Sequence, residues 1–219
     1  MLDELHVYDD GERRSAALNM ALDEALLENA SAPLLRFYRW RRPSLSFGYF
    51  GHYAEVENQS SHREIVRRWT GGGIVPHGDD LTYSVIVPAS HPWFARSSLE
   101  IYAELHDAIR QALQVNGIEA VLANSAGPRV SEACFANAVR ADVLSNGRKI
   151  AGAAHRRTRA GLLHQGSIQR SDLPGRFRDG LARILCERSE RKTASPEVLA
   201  RASRIAEAKY SAVEWLKRR

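Results

Sequence analysis

Apolar residues in the stretch SAALNMALDEALLENA (15–30) recur at helical spacing, at Leu18, Leu22, Ala25 and Leu26, among strong helix formers. Ser15 stands where an N-cap belongs. The period then shortens. LLRFYRW (34–40) alternates like a strand, Pro43 punctuates, and Ser44–Phe50 reads as a second strand broken by Gly48 and Gly51. A short strand at Ile65–Trp69 runs into the loop Thr70–Gly73. LTYSVIV (81–87) is β-branched and aromatic, so a buried strand is expected there, ended by Pro88.

Ser97 and Glu100 have capping-box spacing ahead of an amphipathic helix that carries Leu99, Tyr102, Leu105, Ile109 and Leu113 and stops at Asn116-Gly117. After a short strand at Ile118–Leu122 and a small, polar loop, Val139–Leu144 and Arg148–Ala154 flank Asn146-Gly147, a tight-hairpin signal. Gly161–Gln169 is a further strand. Beyond Ser171 two helices are expected, near Gly175–Cys186 and Pro196–Lys217. Strands cluster instead of alternating with helices, which favours an α+β fold over a doubly wound sheet.

The 219 residues suit one domain with a small appendage, and 44% hydrophobic with 26% charged residues is ordinary for a globular chain. No apolar run approaches the roughly 20 residues of a membrane span. No signal peptide is visible ahead of the first helix, and a cytoplasmic protein is expected. Two cysteines, Cys134 and Cys186, do not make a disulfide framework. The net charge of +5 is mild, and no block of five like charges suggests a nucleic-acid tail. Arg39-Trp40-Arg41-Arg42 interleaves an aromatic with bases and reads as a strand edge with solvated arginines.

Lysine usage is the sharper signal. Lysines occur only at 149, 192, 209 and 217, so Lys149 is alone in the first 191 residues of a chain otherwise supplied with arginine. A compact ammonium on a flexible stem does what a planar fork does not. Lys149 lies in GRKIAGAAH (147–155), where small neighbours leave room for a ligand.

Three further segments carry chemistry. In RRWTGGGIVPH (67–77), consecutive glycines let backbone N–H groups approach a ligand, flanked by Arg67, Arg68 and His77; a plain hairpin turn is the competing reading. Neither the Walker nor the dinucleotide spacing is present. In LLHQGSI (162–168), His164 beside Gly166 is a candidate ligand-facing histidine or a structural one. Cys134 lies fifteen positions before Lys149, and a nearby ammonium would favour its thiolate, although an inert small hydrophobe is the commoner fate of a free cysteine.

Taken in order, Arg-Arg-x-Thr-Gly-Gly-Gly-x-Val-x-His, Leu-Thr-Tyr-Ser, Gly-Arg-Lys-Ile-Ala-Gly-x-Ala and Leu-His-x-Gly-Ser-Ile resemble the lipoate–protein ligase and octanoyltransferase family of the biotin/lipoate ligase superfamily. Asn19-Met20-Ala21-Leu22-Asp23-Glu24 adds to the likeness, which spans about Ser15 to Gln169. The resemblance implies an α+β catalytic domain over 1–170, with a mixed, largely antiparallel sheet, and a helical extension over 171–219 packed on it. It also implies an enzyme that places an octanoyl or lipoyl group on the lysine of a lipoyl-domain protein, either a dehydrogenase E2 subunit or the glycine cleavage H protein. Lys149 and Cys134 would be catalytic. Arg68, Thr70, Gly71, Gly72, Gly73, His77, Gly152, His164 and Gly166 would line the acyl site, with no metal among the site residues.

Two branches follow. In the transferase branch Cys134 takes octanoate from octanoyl acyl carrier protein, without a cofactor; Cys134-Phe135 and Asp80 ahead of Leu-Thr-Tyr-Ser point there. In the ligase branch free lipoate, ATP and Mg give lipoyl-adenylate; Gly73 and the absence of Pro-Ser after Cys134 point that way. A non-catalytic acyl-binding module is the remaining alternative. A biotin ligase ranks lower, since its Gly-Arg-Gly-Arg type loop is missing. No nucleic-acid or membrane partner is expected.

Overall fold

A computed structural model describes residues 1–126 and 138–218. The chain opens with β1 (Leu5–Arg14), followed by α1 (Ala16–Asn29), whose first turn is capped by the Ser15 hydroxyl accepting from Leu18 N–H at 3.3 Å. Next come β2 (Leu34–Trp40), β3 (Ser44–Phe47), β4 (Glu64–Arg67), β5 (Val75–His77), β6 (Leu81–Pro88) and α2 (Ser98–Val115), which carries the expected capping box. β7 (Val121–Leu122), β8 (Val143–Ser145), β9 (Arg148–Arg157) and β10 (Gly161–Ile168) complete the middle of the chain. The remainder holds α3 (Phe177–Leu185), β11 (Ser189–Lys192), α4 (Pro196–Ile205), a π turn at Ala206–Tyr210 and α5 (Val213–Leu216).

Eight strands form one sheet in the order β11-β1-β2-β6-β10-β9-β8-β7, and β4-β3-β5 form a small second sheet. Pairing is antiparallel from β2 through to β7. It is parallel where α1 carries the chain from β1 to β2, and between β1 and β11. The mixed, largely antiparallel α+β fold is therefore as expected. β8 and β9 meet at the two-residue turn Asn146-Gly147, with φ of 50° and 72°, the left-handed pair of a type I′ hairpin.

Alternation along the central strands sorts side chains onto two faces. Leu35, Phe37, Tyr83, Val85 and Leu162 meet α2 and α3, including Ile101, Leu105, Ile109, Phe177 and Leu181. Tyr38, Ile86 and Leu163 meet α1 and α4 on the other face, through Met20, Leu22, Leu26, Ala202 and Ile205. The small sheet caps one end of the α1 face. Arg67 holds the C-terminal segment there by donating to the carbonyls of Trp215, Leu216 and Arg218 at 2.9, 3.0 and 2.7 Å.

Three strands escaped the hydropathy reading, the three-residue β5 among them. β1 buries only Leu5 and Val7 before turning charged, and β11 (SERK) is almost wholly exposed, so neither shows sustained alternation. The strand expected over Ile118–Leu122 contracts to Val121–Leu122, and the one over Ser44–Phe50 ends at Phe47. Gly48 follows at once, and a β-carbon there would overlap the Gly72 carbonyl, so the chain must leave the strand where it abuts the triglycine loop. Among the described residues no helix is long and apolar enough to cross a membrane.

Candidate active site

A narrow, mostly apolar cleft opens on the α1 face, between the main sheet and the small one. Its apolar lining comes from Met20, Tyr38, Trp40 and Val75, and its other walls include Arg68, Gly72, His77, Gly152 and Gly166. Five of the expected site residues thus converge. The glycines have steric reasons. A β-carbon on Gly166 would run into the Tyr83 ring on the neighbouring strand. One on Gly152 would overlap Cε of Lys149 and lie 2.8 Å from Nζ, so the lysine stem packs against Gly152, which lines the cleft while Lys149 itself does not.

Lys149 is held in place. Its Nζ is 2.8 Å from Asp142 Oδ2, and the two side chains are 4% and 0% exposed. Asp142 also accepts from Tyr102 O–H at 2.5 Å and from Val139 N–H at 2.6 Å. Tyr102 Oη in turn accepts from Ala153 N–H at 3.3 Å. Asp142 reaches the lysine because the hairpin returns β9 beside β8, with Leu144 opposite Lys149. Neither Asp142 nor Tyr102 was singled out from the sequence. The tight Asn-Gly turn was the signal that could have paired Asp142 with the lysine.

On the opposite side a second polar chain fixes Arg68. Asp80 Oδ2 is 2.8 Å from His77 Nδ1, and Ser46 Oγ is 2.7 Å from His77 Nε2. Burial pulls the His77 pKa down, outweighing Asp80, so the ring is neutral near pH 7. For Asp80, burial alone would raise the carboxyl, but His77, Ser167 and the Gly78 N–H together hold it below its usual range. A neutral ring that donates to a carboxylate through Nδ1 must accept at Nε2, so Ser46 donates to it. Ser46 Oγ then accepts from Arg68 at 2.7 Å, and the other arm of Arg68 donates to the carbonyls of Gly71 and Gly73 at 2.9 and 2.8 Å. The order Asp-His-Ser is that of a hydrolase triad. Ser46 is fully buried, however, and its oxygen is occupied by a guanidinium, so the chain serves to aim Arg68 and set the loop.

Residues 15–210 match the lipoyl protein ligase A/B catalytic domain. The chain belongs to this family. A 164-residue segment of this lipoyl protein ligase A/B domain is 40% identical to octanoyltransferase LipM of Oceanobacillus iheyensis, covering 71% of the chain and 60% of that relative. LipM of Bacillus subtilis is 36% identical over 74% of the chain and 64% of its own length. The chain thus spans under two thirds of the curated relatives it matches. Among solved structures, a lipoate–protein ligase A bound with ATP superposes with a TM-score of 0.78 at 20% identity, covering 99% of both chains. The bipartite lipoate protein ligase of Thermoplasma acidophilum, solved with its E2 lipoyl domain, gives 0.73 at 20%, covering 99% of this chain and 96% of that one.

Not every expected residue lines the cleft of this lipoyl protein ligase A/B domain. Thr70 is buried with its hydroxyl donating to Gln165 Oε1 at 2.8 Å, so it anchors the loop from behind. Gly71 and Gly73 contribute carbonyls to Arg68, and only Gly72 of the three faces the cleft. His164 does not line this cleft. Its neighbours Gln165 and Ser167 occupy the cleft face, and strand alternation sends His164 to the α2 side. There it meets Tyr83 Oη at 3.1 Å and His155 Nε2 at 2.6 Å, beside His106. Cys134 lies outside the described residues. Cys186 caps α3, buried, with Sγ 3.2 Å from the Arg188 carbonyl, as an inert residue would be. Among the described residues no group of three acidic, histidine or cysteine side chains is placed to hold a metal.

The three histidines behind the cleft give a pH prediction. Burial pulls His106 and His155 to pKa values of about 4 and His164 well below its usual value. The unfolded chain takes up protons near pH 6.5 and the folded chain does not, so stability is complete above about pH 6.5 and falls as the pH drops toward 4. The expected loss is on the order of 3 kcal/mol for each of His106 and His155, with His164 acting in the same direction. Urea midpoints from pH 7 to 4.5 check it. His106→Gln should flatten the slope, and an unchanged slope would remove the histidines as its cause.

Proposed function

We propose that this protein transfers an octanoyl group from a carrier-bound thioester to the lysine of a lipoyl domain, by way of a thioester on Cys134. The observation that carries the reading is the Lys149 ammonium, buried, gripped by Asp142 and laid along the Gly152 wall of an apolar cleft. The curated relatives are octanoyltransferases, and a ligase of the same fold was solved with an E2 lipoyl domain, which supports a lipoyl-domain acceptor.

The steps balance without a cofactor. The Cys134 thiolate attacks the octanoyl carbonyl, and the carrier thiolate leaves and takes a proton. The neutral amine of the target lysine then attacks the acyl-enzyme, forming the amide and returning the thiolate. Lys149 stabilises the developing oxyanion, a role worth about 3–4 kcal/mol for a donor in comparable sites. The cleft walls hold the chain and keep water from the thioester. A cytoplasmic setting suits the free thiol this needs.

Intact mass after incubation with octanoyl carrier protein tests the reading. A hydroxylamine-labile octanoyl adduct is expected on the wild type and not on Cys134→Ala. The ligase reading, with lipoate, ATP and Mg, instead requires lipoate-driven ATP–pyrophosphate exchange that survives Cys134→Ser. Exchange without an adduct would replace the first reading by the second, and neither signal would leave an acyl-binding module.

A further inference from the structure

Trp40 of the motif Arg39-Trp40-Arg41-Arg42 lines the acyl cleft, while Arg41 and Arg42 have no part in it and border a second depression. This groove, of about 490 Å³, adjoins the cleft, since Trp40 and His77 line both. Arg13, Arg41, Arg42, Arg63 and Arg170 surround it, with Asp79 on the rim. Glu64 lies 3.6 Å from Arg41, and Asp172 pairs with Arg170 at 2.5 Å. Asp80 is committed to His77. Among the described residues, Arg13, Arg42 and Arg63 have no carboxylate within 4.0 Å, and Arg63 spends one N–H on the Ser44 carbonyl at 3.3 Å.

The groove also borders the strand that carries the lysine. Gln169 lines it, and the Gln169 N–H donates to the carbonyl of Ile150, the residue after Lys149. Three uncompensated guanidinium forks converging on one concavity are a site for an oxyanion that accepts two hydrogen bonds at once, and phosphate is the best match. An unphosphorylated lysine arm would leave those forks with nothing to bind.

We infer that this groove binds the phosphate of the phosphopantetheine arm on which the octanoyl thioester arrives, an inference that rests on the transfer reading above. The same arm is presented by a carrier protein and by coenzyme A. Its phosphate sits among Arg13, Arg42 and Arg63, and its thioester enters the cleft over the wall that the stacked Trp40 and His77 rings form between the two. The arginines fix where the arm enters, and so which carbonyl is set before Lys149.

Calorimetric titration of the full chain with 4′-phosphopantetheine and with pantetheine, which differ by the phosphate alone, tests this without turnover. The wild type should bind the phosphorylated arm at least about tenfold more tightly. The Arg42→Gln/Arg63→Gln variant should lose that difference and bind pantetheine as before. In transfer assays the same variant should raise KM for octanoyl carrier protein and octanoyl-coenzyme A alike, with kcat and transfer from octanoyl-pantetheine unchanged. Equal binding of the two arms to the wild type overturns the inference. So does a KM effect confined to the carrier protein, which would mean that an acidic protein surface is read, or ATP bound in the groove that neither arm displaces. Loss of transfer from every donor by the wild type strikes at the proposed function instead, because the titration needs no acyl transfer.

Discussion

Under the proposed transfer function, Lys149→Arg will cost octanoyl transfer a factor of at least about 10²–10³ in kcat/KM while leaving the unfolding midpoint within a few degrees of the wild type. The charge is kept, so Asp142 is not left buried and alone, and stability should hold. Shape is what changes. The lysine stem fits against a strand position where even a methyl group would overlap it, and its terminal nitrogen sits 2.8 Å from Asp142. A guanidinium is planar and broader, and its fork will turn to meet both oxygens of Asp142 instead of presenting one charge to a carbonyl. Gly152→Ala should reproduce much of the loss by pushing the lysine aside. Single-turnover transfer from octanoyl carrier protein, read beside thermal unfolding, checks both. Activity within tenfold of the wild type in Lys149→Arg would show that any cation serves there. Asp142→Asn separates the lysine's charge from its placement. It should lower kcat more than it raises KM, since the groups that hold the acyl chain are untouched.

The sequence announced the elements whose hydrophobic period is sustained and missed those held by context. α1 and α2 were legible because apolar positions repeat over four or more turns and each helix begins on a capping serine. The Asn146-Gly147 hairpin was legible because a type I′ turn demands two left-handed residues. β1 and β11 were not, because a strand at the sheet margin buries few side chains and needs no pattern beyond its partner. At the site, the motifs named the glycines and the lysine. They did not show which face of a strand each residue takes, and so His164 was named for the cleft while Gln165, its neighbour, was passed over. Asp142 and Ser46 were invisible for a related reason. Their roles come from partners three to forty residues away across a turn, a helix or a second sheet, at distances a linear reading does not rank.

The likeness in the segment Asn19–Glu24 also finds its physical account, and it is a structural one with a large expected effect. Asp23→Ala will destabilise the protein by about 3–5 kcal/mol, a fall in melting temperature on the order of 10 °C for a chain of this size. Arg36 is fully buried beneath α1, where it donates to Asp23 Oδ1 at 2.7 Å, Asp10 Oδ2 at 2.6 Å and both oxygens of Asn19 at 3.0–3.1 Å. Asp23 is the hub, accepting also from Ser84 Oγ at 2.8 Å and Gln165 Nε2 at 2.7 Å. Its loss strips one counter-charge from a buried guanidinium and strands the neutral donors Ser84 and Gln165, together with Tyr38 O–H at 3.4 Å, each costing up to roughly 1–3 kcal/mol. The damage should reach the cleft, because Gln165 lines it and accepts the Thr70 hydroxyl that anchors the triglycine loop. Urea unfolding at constant m-value measures the stability, and KM for the octanoyl donor measures the cleft. Arg36→Met paired with Asp23→Leu should recover part of the stability without restoring KM, since an apolar pair can fill the space but cannot hold Gln165. A single Asp23→Ala variant less than about 1 kcal/mol weaker than wild type would mean that α1 is held by its apolar face alone.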